Sequence, residues 1–354
     1  MSGKADRDLL VADFDYDLPP ELIAQEPLAD RSRSRLLVLN RRTGEIVHST
    51  ISEISSWLAP GDLLVANNTR VLPARLFAHK SGTGGRVELL LLRRIEAGDW
   101  VALAKSTRKL RPGLRLDLEP VLFGEATAPV EIVQVDEVGP IVIRFLDRAD
   151  LRLDRYGTTP LPPYIHTLLA DPERYQAVYA SRPGSAAAPT AGLHLTPTLI
   201  EDFQARGIGW AEVTLHIGLD TFRPVTVERV ADHVIHREWC AVSDEVAGAV
   251  ANARAAGRRV VAVGTTAART LESLGPRWER SRPAGFAGPT DIFITPGYTW
   301  RVVDALLTNF HLPRSTLLMM VSALAGRDVI LQAYREAIAR RYRFYSFGDA
   351  MLII

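Results

Sequence analysis

The sequence predicts an α/β protein whose body is interrupted by a small antiparallel β-barrel domain. Three observations carry that expectation. Apolar strand-like runs at 36–39, 63–66, 259–263 and 305–307 lie in the outer parts of the chain. From residue 197 onward such runs alternate with helical patterns, as in α/β domains. Between residues 72 and 145, about six short strands follow one another with Gly or Pro between them and no convincing helix, and closing them into a barrel removes exposed edges. At 354 residues the chain exceeds one typical domain. The expected pieces are 1–68, the first part of the α/β domain; 69–151, the inserted barrel; and 152–354, the second part.

The elements follow in order. Residues 1–12 read as a loosely ordered tail, and Asp13-Phe14-Asp15-Tyr16-Asp17-Leu18-Pro19-Pro20 as an extended acidic-aromatic stretch before one helical turn at 21–24. Arg31-Ser32-Arg33-Ser34-Arg35 is a basic loop. A buried strand at 36–39 turns at Thr43-Gly44 and returns at 45–48 as a hairpin. A short helix at 51–58 ends at Pro60-Gly61-Asp62, and the strand at 63–66 runs into Asn67-Asn68-Thr69-Arg70. Barrel strands are expected at 75–79, 86–93, 100–104, 115–118, 130–135 and 141–145. Pro160, Pro162 and Pro163 stiffen the re-entry into the α/β part. Helices are expected at 172–180, 197–206, 243–256, 267–274, 316–325 and 329–340; strands at 210–216, 239–242, 259–263, 291–295 and 305–307. Thr196 before Pro197 and Ser243 are N-cap signals, and Gly257 is a stop.

Composition narrows the class. Hydrophobic residues make up 47% and charged residues 23%, ordinary for a globular enzyme. A net charge of +1 supplies no global field for nucleic acid, so such a surface has to be a local patch. The single cysteine, Cys240, excludes a disulfide framework and a Cys-rich zinc site. The start of the chain is polar, without a secretory apolar region, and no run approaches a membrane span. A cytoplasmic location fits, and no membrane partner is expected.

Six stretches could carry chemistry. Gly184-Ser185-Ala186-Ala187-Ala188-Pro189-Thr190-Ala191-Gly192-Leu193-His194-Leu195-Thr196 is built of small residues with a few polar ones, suiting a loop that hugs a ligand near an imidazole. The same residues could equally form a tight crossover with His194 a satisfied polar group. Gly264-Thr265-Thr266 joins a strand to a helix N-terminus, a local anion site or a simple cap. No Gly-x-Gly-x-x-Gly or Walker lysine is present there. His216, Asp220 and Arg223 place a base, a carboxylate and a cation just past a strand end, where α/β domains bind ligands. Thr308-Asn309-Phe310-His311-Leu312-Pro313 is a polar loop, and Tyr342-Arg343-Phe344-Tyr345-Ser346-Phe347-Gly348-Asp349 interleaves aromatics with a cation. His233, His236 and Glu238 invite a metal reading but lack a defined ligand set, so no metal is expected.

Together these stretches resemble the S-adenosylmethionine:tRNA ribosyltransferase-isomerases of queuosine biosynthesis. The match runs through Asp13 to Pro19, Asn67-Asn68-Thr69-Arg70-Val71, Ala187 to His194, Leu215-His216-Ile217-Gly218-Leu219-Asp220-Thr221-Phe222, Val263-Gly264-Thr265-Thr266, Thr308 to Pro313 and Ser346 to Ile353. It covers the chain from about residue 10 to the end, with small departures at Leu195 and Thr295. The resemblance implies transfer and isomerisation of the ribosyl part of S-adenosylmethionine onto 7-aminomethyl-7-deazaguanine at the tRNA wobble position. Epoxyqueuosine forms, and adenine and methionine leave. It implies S-adenosylmethionine as a substrate with no cofactor, a tRNA anticodon stem-loop as partner, and a monomer. His194, His216 and Asp220 become candidates for acid–base work, the base left open between the two imidazoles. Asn67, Asn68, Thr69, Arg70, Thr190, Gly192, Arg223, Gly264, Thr265, Thr266, Asn309, His311 and Asp349 become candidates for binding. Distant segments are expected to meet at one rim of the α/β body.

Overall fold

The computed structural model describes residues 9–354 apart from 97, 106–109, 136–138, 168, 219–224 and 279–283. In chain order it opens with β1 (Arg35–Leu39), β2 (Ile46–Thr50), a 3-10 helix at Ile51–Trp57 and β3 (Leu63–Asn67). β4 (Thr69–Val71) leads to β5 (Arg75–Lys80), β6 (Arg86–Glu96), β7 (Asp99–Lys105), β8 (Arg115–Leu118), β9 (Ala128–Val135), β10 (Ile141–Phe145) and β11 (Gly157–Thr158). β12 (Arg182–Ser185) precedes α1 (Pro197–Ala205), β13 (Gly209–Leu215), β14 (Glu238–Val242), α2 (Asp244–Ala255), β15 (Val260–Val263), α3 (Thr265–Glu272) and α4 (Gly275–Trp278). β16 (Phe286–Thr290), β17 (Ala305–Asn309), α5 (Thr316–Ala325), α6 (Arg327–Ala339) and β18 (Ala350–Ile353) complete the chain.

The chain divides into two compact units, one of residues 1–69, 163–182 and 189–354, the other of 70–162 and 183–188. The first is built on a nine-stranded sheet ordered β16-β14-β13-β3-β15-β17-β18-β1-β2. Its centre, β13-β3-β15-β17, is parallel. Those strands are continuous apolar runs because both faces are covered. Alternate residues sort cleanly: Val65, Ala262 and Leu306 pack with α2, α3, α5 and α6 on one face, while Leu64, Val261 and Leu307 pack with α1 and Ile51–Trp57 on the other. Helix starts are chemically set. Thr196 accepts from Leu199 N at 3.2 Å, Ser243 from Val246 N at 3.2 Å, and Ser315 from Leu318 N at 3.2 Å.

The second unit is the barrel. β5-β6-β7-β10-β9-β8 form an antiparallel ring, closed by pairing of β5 with β8, and β11 adds on to β5. Leu76, Leu89, Ala102, Leu116, Ile132 and Ile143 point inward and are fully buried. The sheet takes in Gly157–Thr158, beyond residue 151, because the chain after β10 turns back onto β5.

Three local expectations are corrected. Only Pro172–Tyr175 of the helix expected at 172–180 is helical; it is one 3-10 turn capped by Asp171, and Gln176 is already extended. The strand expected at 291–295 is instead Phe286–Thr290, despite its Gly and Pro, because it is an edge strand where a proline's missing N–H costs no ladder bond. No strand was expected at Ala350–Ile353, yet it lies between β17 and β1, fully buried. Among the described residues no single helix is long and apolar enough to cross a membrane.

The end of α3 fixes the approach to β17. Glu272 is fully buried. Its carboxylate accepts from the backbone N–H groups of Arg301 (3.0 Å), Val302 (2.9 Å) and Val303 (2.8 Å), and from Tyr298 Oη (2.9 Å). Glu272→Ala strands those donors, and its expected cost is about 3 kcal/mol of unfolding free energy. A urea titration showing less than about 1 kcal/mol would remove that role for the carboxylate.

Candidate active site

The parallel strands β13, β3, β15 and β17 end together, and the residues just past their ends form a polar rim. Asn67, at the end of β3, is buried and saturated. Its Nδ2 donates to Leu215 O (3.0 Å) and Thr266 Oγ1 (3.1 Å), and its Oδ1 accepts from Thr69 N (3.1 Å) and Leu215 N (3.0 Å). Asn68 makes two such bonds: its Nδ2 donates to Glu212 Oε2 at 3.2 Å, and its Oδ1 accepts from Thr214 Oγ1 at 2.8 Å. Both amides therefore clamp neighbouring strands, and Asn67 also the start of α3; Asn67 fills all four of its hydrogen-bonding positions, whereas Asn68 keeps one N–H and one lone pair. Arg70 opens the barrel unit.

Thr69 holds His216. Its hydroxyl lies 2.8 Å from His216 Nδ1 and 3.4 Å from Arg182 O. A hydroxyl has one proton, so both bonds coexist only when Thr69 donates to the carbonyl and accepts from Nδ1–H. That tautomer leaves a lone pair on Nε2, which makes no hydrogen bond among the described residues. The half-buried ring stacks on Trp239, centroids 5.3 Å apart and planes at 16°. Burial lowers its pKa from 6.5, so it is neutral at neutral pH.

His194 is held differently. Residues Thr190–His194 form a 3-10 turn against β17. Asn309 Nδ2 donates to Tyr345 O (3.1 Å) and lies 3.1 Å from His194 Nε2, while its Oδ1 accepts from Thr190 Oγ1 (3.0 Å). The Tyr345 carbonyl can only accept, which fixes the amide orientation and makes His194 Nε2 an acceptor. Nδ1 then carries the proton. Burial, followed by the charges of Arg31 and Arg343, depresses His194 to about 4. The ring borders a small recess lined also by Arg31, Arg174, Ser346 and Phe347. Arg174 Nε and Arg343 Nη1 are buried without a hydrogen-bond partner among the described residues. The local field is therefore cationic around a neutral imidazole.

The rim is continuous between the two rings. Gly264, with φ of 92°, brings the start of α3 close to the 190–194 turn: a Cβ built on it would lie 3.5 Å from Ala191 Cβ. Thr266 is tied to Asn67, and Thr265 stands beside it at the first turn of α3. The ring of His216 lies past β13 and Asn309 ends β17, three strand spacings or about 15 Å apart along the sheet.

Two further candidates, His311 and Asp349, carry structural bonds. His311 is buried: its Nε2 lies 2.8 Å from Thr308 Oγ1, its N–H donates to Tyr334 Oη at 2.9 Å, and its carbonyl accepts from Tyr16 Oη. Burial drives its pKa to about 3. Asp349 accepts from Arg35 N (2.9 Å), Arg35 Nε (3.0 Å) and Arg343 N (2.8 Å), tying β1 to the turn before β18. Both are ligand-contact candidates from the sequence, and their bonds to Tyr16, Tyr334, Arg35 and Arg343 hold them in place within the fold. Asp220 and Arg223 lie outside the described residues.

Gly192 is required by a close approach. A Cβ there would stand 2.1 Å from Tyr179 Oη, which is buried without a partner. Gly192→Ala is expected to cost about 2 kcal/mol by overpacking, and Tyr179→Phe in the same chain should recover most of it. Thermal melts of the single and double variants check this; an unchanged double variant would refute the clash.

One buried pair was missed as a site feature. Glu238 and Arg269 form an ion pair, and Glu238 Oε1 also accepts from Gly218 N at 3.0 Å. The sequence signal was present in His233-Val234-Ile235-His236-Arg237-Glu238, but the partner lies 31 residues away in α3. His233 packs edge-on against Phe293, and among the described residues no group of three metal-ligating side chains is present.

The protein is thus an α/β body with an inserted six-stranded closed barrel and neutral imidazoles near the ends of its parallel strands. Residues 11–353 match the family model described as "Queuosine biosynthesis protein". The chain belongs to that family. It is 52% identical over 348 residues to the S-adenosylmethionine:tRNA ribosyltransferase-isomerase of Heliobacterium modesticaldum, covering 97% of this chain and 99% of the other. It is 51% identical over 343 residues to the protein of that name from Carboxydothermus hydrogenoformans, again over 97% and 99%. The crystal structure of S-adenosylmethionine tRNA ribosyltransferase from Thermotoga maritima aligns with a TM-score of 0.56 at 38% identity, covering 97% of this chain and all of that one.

Proposed function

We propose that this chain is a cytoplasmic, monomeric enzyme that moves the ribosyl part of S-adenosylmethionine onto 7-aminomethyl-7-deazaguanine at the tRNA wobble position. The sugar is isomerised to an epoxycyclopentane, and adenine and methionine are released. The observation that carries the reading is the pairing of two neutral imidazoles with opposite free nitrogens on one rim. His216 offers an unprotonated Nε2; His194 offers a protonated Nδ1.

The sulfonium acidifies the 5′ carbon of the donor. His216 Nε2 takes a proton from that carbon, a general-base role for which a neutral imidazole is suited. His194 donates its N–H toward the departing adenine, a hydrogen bond that strengthens as negative charge develops there. Arg31 and Arg174, beside His194, supply cations for the phosphates of a splayed-out anticodon nucleotide. The aminomethyl nitrogen of the RNA base becomes bonded to the transferred carbon skeleton. S-adenosylmethionine is consumed as a substrate, and no metal or other cofactor enters.

The test is adenine release from S-adenosylmethionine, with and without an anticodon stem-loop carrying the aminomethyl base. Release only with that RNA supports the reading. Tight RNA binding without release would make this a binding protein, and release without RNA would make it a nucleoside hydrolase.

A further inference from the structure

Beside the rim is a second recess, lined by Gly218, His233, Glu238, Arg269, Phe293 and Met320, among others. Its floor carries both signs of charge. Arg269 is only 8% exposed; its Nη1 pairs with Glu238 and its Nε donates to Ile292 O at 3.4 Å. Its Nη2 is buried and has no hydrogen-bond partner among the described residues. An unpaired buried guanidinium nitrogen is costly, and a ligand anion seated in the recess would satisfy it. Phe293, Ile294, Leu317 and Met320 form an apolar wall, and His233, His236, Arg237 and Thr316 complete the polar part of the lining.

We propose that this recess seats the amino-acid end of the donor, with the α-carboxylate on Arg269, the α-ammonium toward Glu238 and the thioether stem along Leu317 and Met320. The inference deepens the function proposed above and rests on it. The Arg269–Glu238 pair offers a zwitterion both a donor for its carboxylate and an acceptor for its ammonium, whereas an RNA phosphate would use the donor alone. Apolar walls suit a linear side chain with a soft sulfur atom. The position fits as well, because Gly218, which donates to Glu238, is two residues from His216. Neither Arg269 nor Glu238 needs to move a proton; both position the donor.

The experiment is calorimetric titration of S-adenosylmethionine and its decarboxylated analogue, in the presence of the anticodon stem-loop, into the wild-type chain and into Arg269→Gln and Leu317→Trp variants. Loss of one charged hydrogen bond predicts that the wild type binds the decarboxylated analogue about 30-fold more weakly. In Arg269→Gln the two ligands should bind alike, and Leu317→Trp should weaken both. Equal binding of the two ligands by the wild type, or undiminished discrimination in Arg269→Gln, overturns the proposal. If Arg269→Gln does not fold, as circular dichroism would show, the wild-type comparison and Leu317→Trp still decide it. RNA-dependent adenine release with no carboxylate discrimination would overturn this inference alone; failure of the wild type to bind S-adenosylmethionine overturns the function as well.

Discussion

Replacing His216 by alanine is expected to lower the rate of adenine release by about 10³-fold while leaving donor affinity nearly unchanged, since general-base catalysis contributes about 10²–10⁴. The geometry gives the reason. Thr69 fixes the ring through Nδ1, Trp239 holds its plane, and Nε2 is left to accept a proton. The pH dependence has a definite sign. A base works when unprotonated, and burial holds this imidazole below 6.5, so the rate rises with pH below that value and is flat above it. Single-turnover adenine release across pH 5–8 measures both effects. A variant within tenfold of the wild type would remove His216 as the base and return the role to another group.

Acid should destabilise the fold steeply, through His311 and His194. Both have folded pKa values, about 3 and about 4, that lie below the ordinary 6.5. Between those limits the unfolded chain binds more protons than the folded one, so stability falls as pH drops from 6.5 and the loss is complete only below the folded values. Each pKa unit is worth about 1.4 kcal/mol, so the two imidazoles together withdraw roughly 6 kcal/mol between pH 6.5 and 4. Urea midpoints along that range report the slope. His311→Gln keeps a polar partner for Thr308 but cannot be protonated, and should flatten the curve by about half. A His311→Gln curve parallel to that of the wild type would contradict the assignment.

Much of the architecture was legible because it follows from local pattern. Uniformly apolar runs such as Leu63-Leu64-Val65-Ala66 announce strands covered on both faces, and Thr196-Pro197 and Ser243 mark helix starts with one hydrogen bond each. The barrel was legible because six short strands without helices have few other ways to hide their edges. Phe286–Thr290 and Ala350–Ile353 were not: the first is a strand despite its proline because it stands at an edge, and the second becomes central only because β17 and β1 flank it.

For the candidate site, the sequence by itself supplied the candidates. His194, His216, Thr69, Thr190, Thr266 and Asn309 sit at element ends recognisable from composition and spacing, and a strand's end is where an α/β sheet leaves backbone and side chains open to a ligand. Only the tertiary structure decided their parts. Whether an imidazole nitrogen is a donor or an acceptor depends on who faces its other nitrogen. Those neighbours are Asn309 and Thr69, whose own roles are set by the carbonyls of Tyr345 and Arg182, all remote in the chain from the histidines they orient. The same holds for Asp349 and Arg269: a carboxylate saturated by backbone N–H groups and a guanidinium left one partner short look alike in a sequence, because hydrogen-bond satisfaction is a property of three-dimensional neighbours.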